Sequence, residues 1–290
     1  MTPPSRIRVL STARLQYAHA SIRRLMMGCK YDVGKSEYTM KKQKIFGEIL
    51  TKHISLVQDR LGSHVYEYID LTAGPGNYKH NGHPIEGSPV VAARVFKEKN
   101  ISTHMQLMEH NPAAACELAQ WLNDNGYLSS MWYRHQWEEY KCTSNIVATV
   151  VTESFDNSKE YCLVDEVLPP PAGLIYADPN CNGHAFNAIS SLTSKEEYRN
   201  IDVLVHHSGT AFKRLHGDQP WGDMMGGHIR KMNKLNWYIS EPIGIWQWAF
   251  IYGTNDTPSF GEVDLSHIRS ILGRYCWRKI TRRCQPYRYR

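Results

Sequence analysis

Three carboxylates stand where short apolar runs give out: Asp70 after Tyr66–Ile69, Glu109 after Ser102–Met108, and Asp178 after Gly173–Ala177. A fourth run, Ser130–His135, ends at Gln136. A carboxylate carries two acceptor oxygens, so at the mouth of a buried strand it can receive N–H and O–H donors of a ligand. Asp70 leads into Leu71-Thr72-Ala73-Gly74-Pro75-Gly76, a turn of small residues. Its glycines let the backbone approach a ligand and adopt positive φ. The spacing is not G-x-G-x-x-G, which favours a nucleoside ligand over a dinucleotide. Glu109 suits the two hydroxyls of a ribose, and Gln136 an adenine amino group with Trp137 beside the ring. In Asp178-Pro179-Asn180 a rigid proline presents a carboxylate and a free carbonyl together. Such acceptors can hold an exocyclic amine against a donor, which is catalysis by positioning and electrostatics. Each position also has a plain structural reading: an Asx-turn aspartate, a solvated strand-end glutamate, an Asp-Pro turn.

Positioning these groups requires strands that alternate with helices. A helix is expected from about Tyr38 to Leu61, with Ile45, Phe46, Ile49, Leu50, Ile54 and Leu56 apolar and Gly62 as its stop. The strands expected are Tyr66–Leu71, Ser102–Met108, Ser130–His135, Asn145–Val151, Gly173–Ala177, Ile201–Val205 and Trp246–Tyr252. Ser88 before Pro89 reads as an N-cap, and Asn111-Pro112 opens a further helix. This alternation predicts a mostly parallel sheet with ligands beyond the strands' carboxyl ends. The expected organisation is a basic arm or helix over residues 1–35 and one domain over 36–290. That domain carries an insertion at about 138–172 and a basic tail at 274–290.

Net charge is +6, and it is unevenly placed. Arg6, Arg8, Arg14, Arg23, Arg24 and Lys30 precede any acid; Arg274, Arg278, Lys279, Arg282, Arg283, Arg288 and Arg290 close the chain without one. The body between is acidic. Basic ends suggest contact with nucleic acid, or with the chain's own acidic surface or a protein partner. No apolar run is long enough to span a bilayer, and no secretory signal is evident, so no membrane association is expected. Seven scattered cysteines without a C-x-x-C pair fit a reducing, cytoplasmic compartment. His80, His83 and His184 flank the candidate site and His206-His207 sits at another strand end; these could act as bases or contact substrate. The adjacent His206 and His207 would point to opposite faces of a strand, so no metal is expected. Cys181 has no evident base to make it a nucleophile.

The stretch Tyr68–Gly76 resembles the first motif of class I S-adenosylmethionine (SAM) methyltransferases, often written D-x-F-A-G-x-G, with Thr72 in place of Phe. Joined to Gly87-Ser88-Pro89 and Asp178-Pro179-Asn180, it is similar to the three-Cys-motif partner proteins, methyltransferase-like proteins of bacteria and their mobile elements. It is also similar to amino-methyltransferases of nucleic acid, whose motif is Asp or Asn, Pro, Pro, aromatic. The resemblance covers about residues 38–255. It implies an α/β fold with a Rossmann-like class I methyltransferase sheet, mostly parallel with a C-terminal antiparallel strand, and helices on both faces. It implies SAM as cofactor, held by Asp70, Thr72, Ala73, Gly74, Gly76, Glu109, His110 and Gln136. Asp70 would orient the loop or the methionine amino group. Asp178, Pro179 and Asn180 would be catalytic, moving a methyl group to a base nitrogen of DNA or RNA. Asn180 stands where that motif has its second proline, and Cys181 where it has the aromatic that stacks on a flipped base. Two further readings therefore stand: methylation of protein or a small molecule, and a non-catalytic nucleic-acid or partner-binding module.

Overall fold

In the inner strands of the sheet, successive apolar side chains enter two different cores. Tyr66 and Tyr68, Leu174 and Tyr176, and Phe250 and Tyr252 enter one. Ile69 and Leu71, Ile175 and Ala177, and Ile251 enter the other. Strand side chains alternate with period two, so a strand buried on both faces is mainly apolar, and its buried polar groups need partners. The computed structural model describes residues 37–80, 83–133, 136–153, 158–161, 170–179, 182–208, 229, 231–240, 248–256 and 277–279. The expected arm 1–35 and nearly all of the tail 274–290 lie outside them.

The helices are α1 (Glu37–Leu61), α2 (Ser88–Lys99), α3 (Pro112–Asp124), α4 (Ser158–Tyr161) and α5 (Asn182–Thr193). The strands are β1 (Tyr66–Asp70), β2 (Asn77–His80), β3 (His83–Glu86), β4 (Thr103–Met108), β5 (Leu128–Tyr133) and β6 (Gln136–Glu139). They continue with β7 (Ile146–Val151), β8 (Gly173–Ala177), β9 (Ile201–Ser208), β10 (Asn236–Ser240), β11 (Trp248–Thr254) and β12 (Trp277–Lys279). Ten of them form one sheet in the order β12-β10-β11-β9-β8-β1-β4-β7-β5-β6, and β2 and β3 form a separate hairpin. The pairs from β9 through β8, β1, β4 and β7 to β5 are parallel. The β9–β11, β11–β10, β10–β12 and β5–β6 pairs are antiparallel. The fold is the expected α/β type, a mostly parallel Rossmann-like sheet with an antiparallel C-terminal side.

Helix α1 buries Ile45, Phe46, Ile49, Leu50, Ile54, Val57 and Leu61, while Leu56, counted in that stripe by pattern, is exposed. Each fully buried residue of this kind stabilises the fold by about 1.5–3 kcal/mol. The α1 stripe packs with α2 and α3 on the first core, and α5 lies on the second. The polar stretch before Ser88 is the β2–β3 hairpin. Gly87, not Ser88, is the N-cap of α2; the Ser88 hydroxyl is used elsewhere. Asn111 caps α3 as its sequence suggests, accepting from the Ala113 and Ala114 amides. The stretch 138–172, expected as an insertion, contributes β7 to the middle of the sheet, between β4 and β5. Among the described residues no helix is long and apolar enough to cross a membrane.

Candidate active site

The site grows from the carboxyl ends of β8, β1 and β4, which are neighbours in the sheet. Asp70 ends β1 and is completely buried. Its Oδ1 accepts from the Thr72 amide at 2.9 Å and its Oδ2 from the Ser88 hydroxyl at 2.6 Å and the Tyr68 hydroxyl at 3.1 Å. Both oxygens therefore serve the chain itself, and the Asx-type geometry fixes the turn that follows. Burial pushes the Asp70 carboxyl up to about 6, against the opposing effect of the Ser88, Thr72 and Tyr68 hydrogen bonds.

The turn takes the shape its composition requires. Gly74 and Gly76 have φ of 66° and 79°, in the left-handed region. A Cβ at Gly74 would run into the Tyr78 hydroxyl, and one at Gly76 would meet Leu118 Cδ1 at 2.9 Å. The Ala73 amide donates to the Met108 carbonyl at 2.9 Å, tying the turn to the end of β4. One residue beyond that strand, Glu109 turns back on the loop: its Oε2 accepts from the Gly74 amide at 2.8 Å, and its Oε1 from the Asn111 amide at 2.7 Å. Burial raises the Glu109 carboxyl above its ordinary value, opposed by those two backbone bonds and by His110. Each oxygen retains a lone pair for a further donor.

On the other side of β1, Asp178 follows β8. Its Oδ2 is paired with Lys42 of α1, and its Oδ1 receives His206 Nδ1 of β9 at 2.6 Å. Burial works to raise this carboxyl, but Lys42 and His206 outweigh it and hold it far below the carboxylate range. The Asp178 amide donates to Thr72 Oγ1 at 2.7 Å, and the same hydroxyl lies 3.5 Å from Asp70 Oδ1. Thr72 thus links the first-motif aspartate to the second. His206 packs edge-on against Phe250 at 5.6 Å and is buried, which lowers its basicity against the pull of Asp178.

The structure brings together Asp70, Thr72, Ala73, Gly74, Gly76, Glu109, Asp178 and Pro179. His110 is exposed beside Glu109. Gln136 is exposed on β6, with β5 and β7 between it and β4, so it does not share the loop's neighbourhood. Asn180 lies outside the described residues. The strand end beside Glu109 belongs instead to β7: the Glu109 amide donates to the Val151 carbonyl at 3.0 Å. There, among the described residues, Thr152 Oγ1 is buried without a hydrogen-bond partner. Tyr176 on β8 likewise holds a buried hydroxyl without one among the described residues, in the combined field of Asp178, Asp70 and Tyr78. Such orphaned groups are rare, and at the open end of a sheet they fit a ligand's polar atoms. The sequence reading missed Lys42, Thr152 and the bridging role of Thr72. It read His206, at another strand end, as one of several histidines that could act as bases or contact substrate. A pair of histidines ending an apolar strand was the available signal for His206; one lysine among several on α1 gave none for Lys42.

No family model matches the chain, and no curated protein matches it. Solved structures similar to it include protein LPL1258 from Legionella pneumophila, at 13% identity over 80% of this chain and 95% of that one, with a TM-score of 0.46. The N-methyltransferase NodS from Bradyrhizobium japonicum is similar at 8% identity, covering 74% of this chain and 97% of that one, TM-score 0.41. The methyltransferase domain of a bacterial Hen1 is similar at 9% identity, covering 72% and 99%, TM-score 0.43.

Proposed function

We propose that the chain is a SAM-dependent methyltransferase whose acceptor is a nitrogen of a nucleic-acid base. The observation that carries this reading is the convergence at three adjacent strand ends: a glycine turn whose Gly74 amide is bonded to Glu109, linked through Thr72 to the Asp178 carboxylate. Open parallel sheets bind ligands at this edge. SAM, when bound, supplies an electrophilic methyl group on a sulfonium. The protein's part is to hold that group and the acceptor in line. Glu109 has lone pairs left for two ribose hydroxyls, Thr152 offers a buried hydroxyl at the neighbouring end of β7, and Tyr176 offers one on β8 across β1. The acid-free basic ends support nucleic acid as the acceptor's class, through contacts to phosphate.

Calorimetric titration with SAM and incubation of tritiated SAM with DNA, RNA and cell protein test this reading. Label in nucleic acid is the expected result. Label in protein or small molecules alone would move the acceptor. SAM binding without any transfer would favour the non-catalytic module. Glu109→Ala removes charge-assisted hydrogen bonds worth about 1.5–3 kcal/mol, so SAM binding should weaken about 10- to 100-fold. Unchanged affinity would remove Glu109 from the site. Binding to nucleic acid should fall steeply with added salt and weaken on removal of residues 274–290.

A further inference from the structure

Both oxygens of Asp178 already have partners, Oδ2 the Lys42 ammonium and Oδ1 the His206 imidazole. The three groups come from three elements: Lys42 from α1, Asp178 from the end of β8, and His206 from the neighbouring strand β9. A carboxylate so neutralised is the weakest base in its surroundings, because each partner favours its ionised form. It is poorly suited to take a proton from an acceptor. It is well suited to orient an imidazole and to steady the imidazolium that forms, which is the part an aspartate plays behind a catalytic histidine. With Nδ1–H donating to Asp178 Oδ1, the neutral ring carries its basic lone pair on Nε2. The His206 ring is mostly shielded from water, at 8% exposed.

We propose that His206 is the catalytic proton acceptor of this site, with Asp178 as its positioning residue and Lys42 holding Asp178 ionised. The proposal rests on the methyltransferase reading and extends it. The acceptor's N–H nitrogen forms a bond to the methyl carbon. The carbon–sulfur bond breaks with its electron pair going to sulfur, and a neutral thioether leaves. The proton from nitrogen passes to His206 Nε2, and Asp178 balances the imidazolium until the proton reaches solvent. This assignment favours acceptors that must shed a proton, such as exocyclic amines, over those that merely shift charge.

Two charged groups act on His206, Lys42 on α1 and Asp178 after β8; His207, next to it on β9, is kept neutral by burial, and Asp178 in turn raises Asp70 at the end of β1. Burial lowers His206 below its ordinary value, so its acid limb falls below pH 6.5. Asp70 also titrates in this region, at about 6, so a limb alone does not identify its owner.

Two measurements on the full chain decide the matter. The first is nitrogen NMR of the histidine rings, by titration of wild type, Asp178→Asn and His206→Asn. His206 should be the neutral Nδ1–H form at pH 7, and Asp178→Asn should move its titration to lower pH. An Nε2–H ring, or one indifferent to Asp178→Asn, overturns the dyad. The second is the pH profile of methyl transfer to whichever acceptor gains label. His206→Asn should reduce transfer roughly 10²–10⁴-fold and abolish the acid limb, with SAM affinity unchanged by calorimetry. Should His206→Asn fail to fold, Asp178→Asn, nearly isosteric, should slow transfer and shift the limb downward. Transfer by His206→Asn with the limb intact overturns this proposal and leaves the methyltransferase reading standing. Absence of transfer by wild type overturns both.

Discussion

Asp70→Asn should make the protein more stable at neutral pH, relative to wild type, than it is in acid. The folded state holds the Asp70 carboxyl at about 6, against 3.8 for an ordinary aspartate. Below 3.8 the group is protonated in both folded and unfolded chains and contributes nothing. Between 3.8 and about 6 the unfolded chain loses the proton while the folded chain keeps it, so stability falls as pH rises. Above 6 the whole effect is present. At 1.36 kcal/mol per pH unit it comes to about 3 kcal/mol, of which about 2 develops between pH 4 and pH 7. Asparagine removes the charge and keeps the size. Its carbonyl can still accept from the Thr72 amide, and its amide can donate to the Ser88 and Tyr68 hydroxyls once these rotate. The assay is denaturant unfolding of both proteins at pH 4, 5, 6 and 7. The variant-minus-wild-type difference should grow by about 2 kcal/mol across that range. Other carboxylates cancel in the difference because both proteins share them. A flat difference, or one that shrinks toward neutrality, would refute the assignment of a strained, buried charge to Asp70. The expected outcome also means that the chain carries a destabilising anion at its turn, as functional sites often do.

Gly76→Ala should lower stability by about 1–3 kcal/mol, since alanine is strained at its φ and Leu118 and Val90 crowd its Cβ; urea unfolding measures it. Asp202→Ala should cost about 3–5 kcal/mol. It strips the acceptor from His53, whose Nε2 lies 2.9 Å from it, and from the Tyr252 hydroxyl, all deeply buried; thermal melting reads the loss. Burial tends to raise Asp202, but His53 and Tyr252 hold it below its ordinary value. Its stabilising effect should thus be present above pH 3.8 and disappear as pH falls below, a loss Asp202→Asn should lack. Thr72→Val should cost about 1–3 kcal/mol by leaving the Asp178 amide without its acceptor, while Thr72→Ser should recover most of it.

The parts of the fold that depend on local pattern were legible. Gly173–Ala177 is apolar at every position because β8 is buried on both faces, and its bounds match the expected ones. Asp70, the glycine turn and Glu109 were legible because strand ends and turns have strong residue preferences. Neighbour order was not. The apolar run Ile146–Val151 marks an inner strand, but nothing local in it names β4 and β5 as its neighbours, so the group beside Glu109, Thr152, was not foreseen. Ser88 satisfies every local rule for an N-cap, but its hydroxyl finds a buried carboxylate eighteen residues back in the chain. Lys42 and Asp178 are 136 residues apart, a distance over which side-chain type alone carries no pairing information.

The interposed strand β7 also sets the order in which the site can be assembled. When β5 and β6 have emerged from the ribosome, their hairpin has no parallel neighbour, and a lone two-stranded unit is marginal in water. It joins the sheet only when Ile146–Val151 slides between β5 and β4 and bonds to both. In chain order the Glu109 edge is thus closed before β8 and β9 bring in Asp178 and His206 on the other side of β1. A truncated chain ending before residue 146 would hold the glycine turn and Glu109 yet lack the wall on their far side.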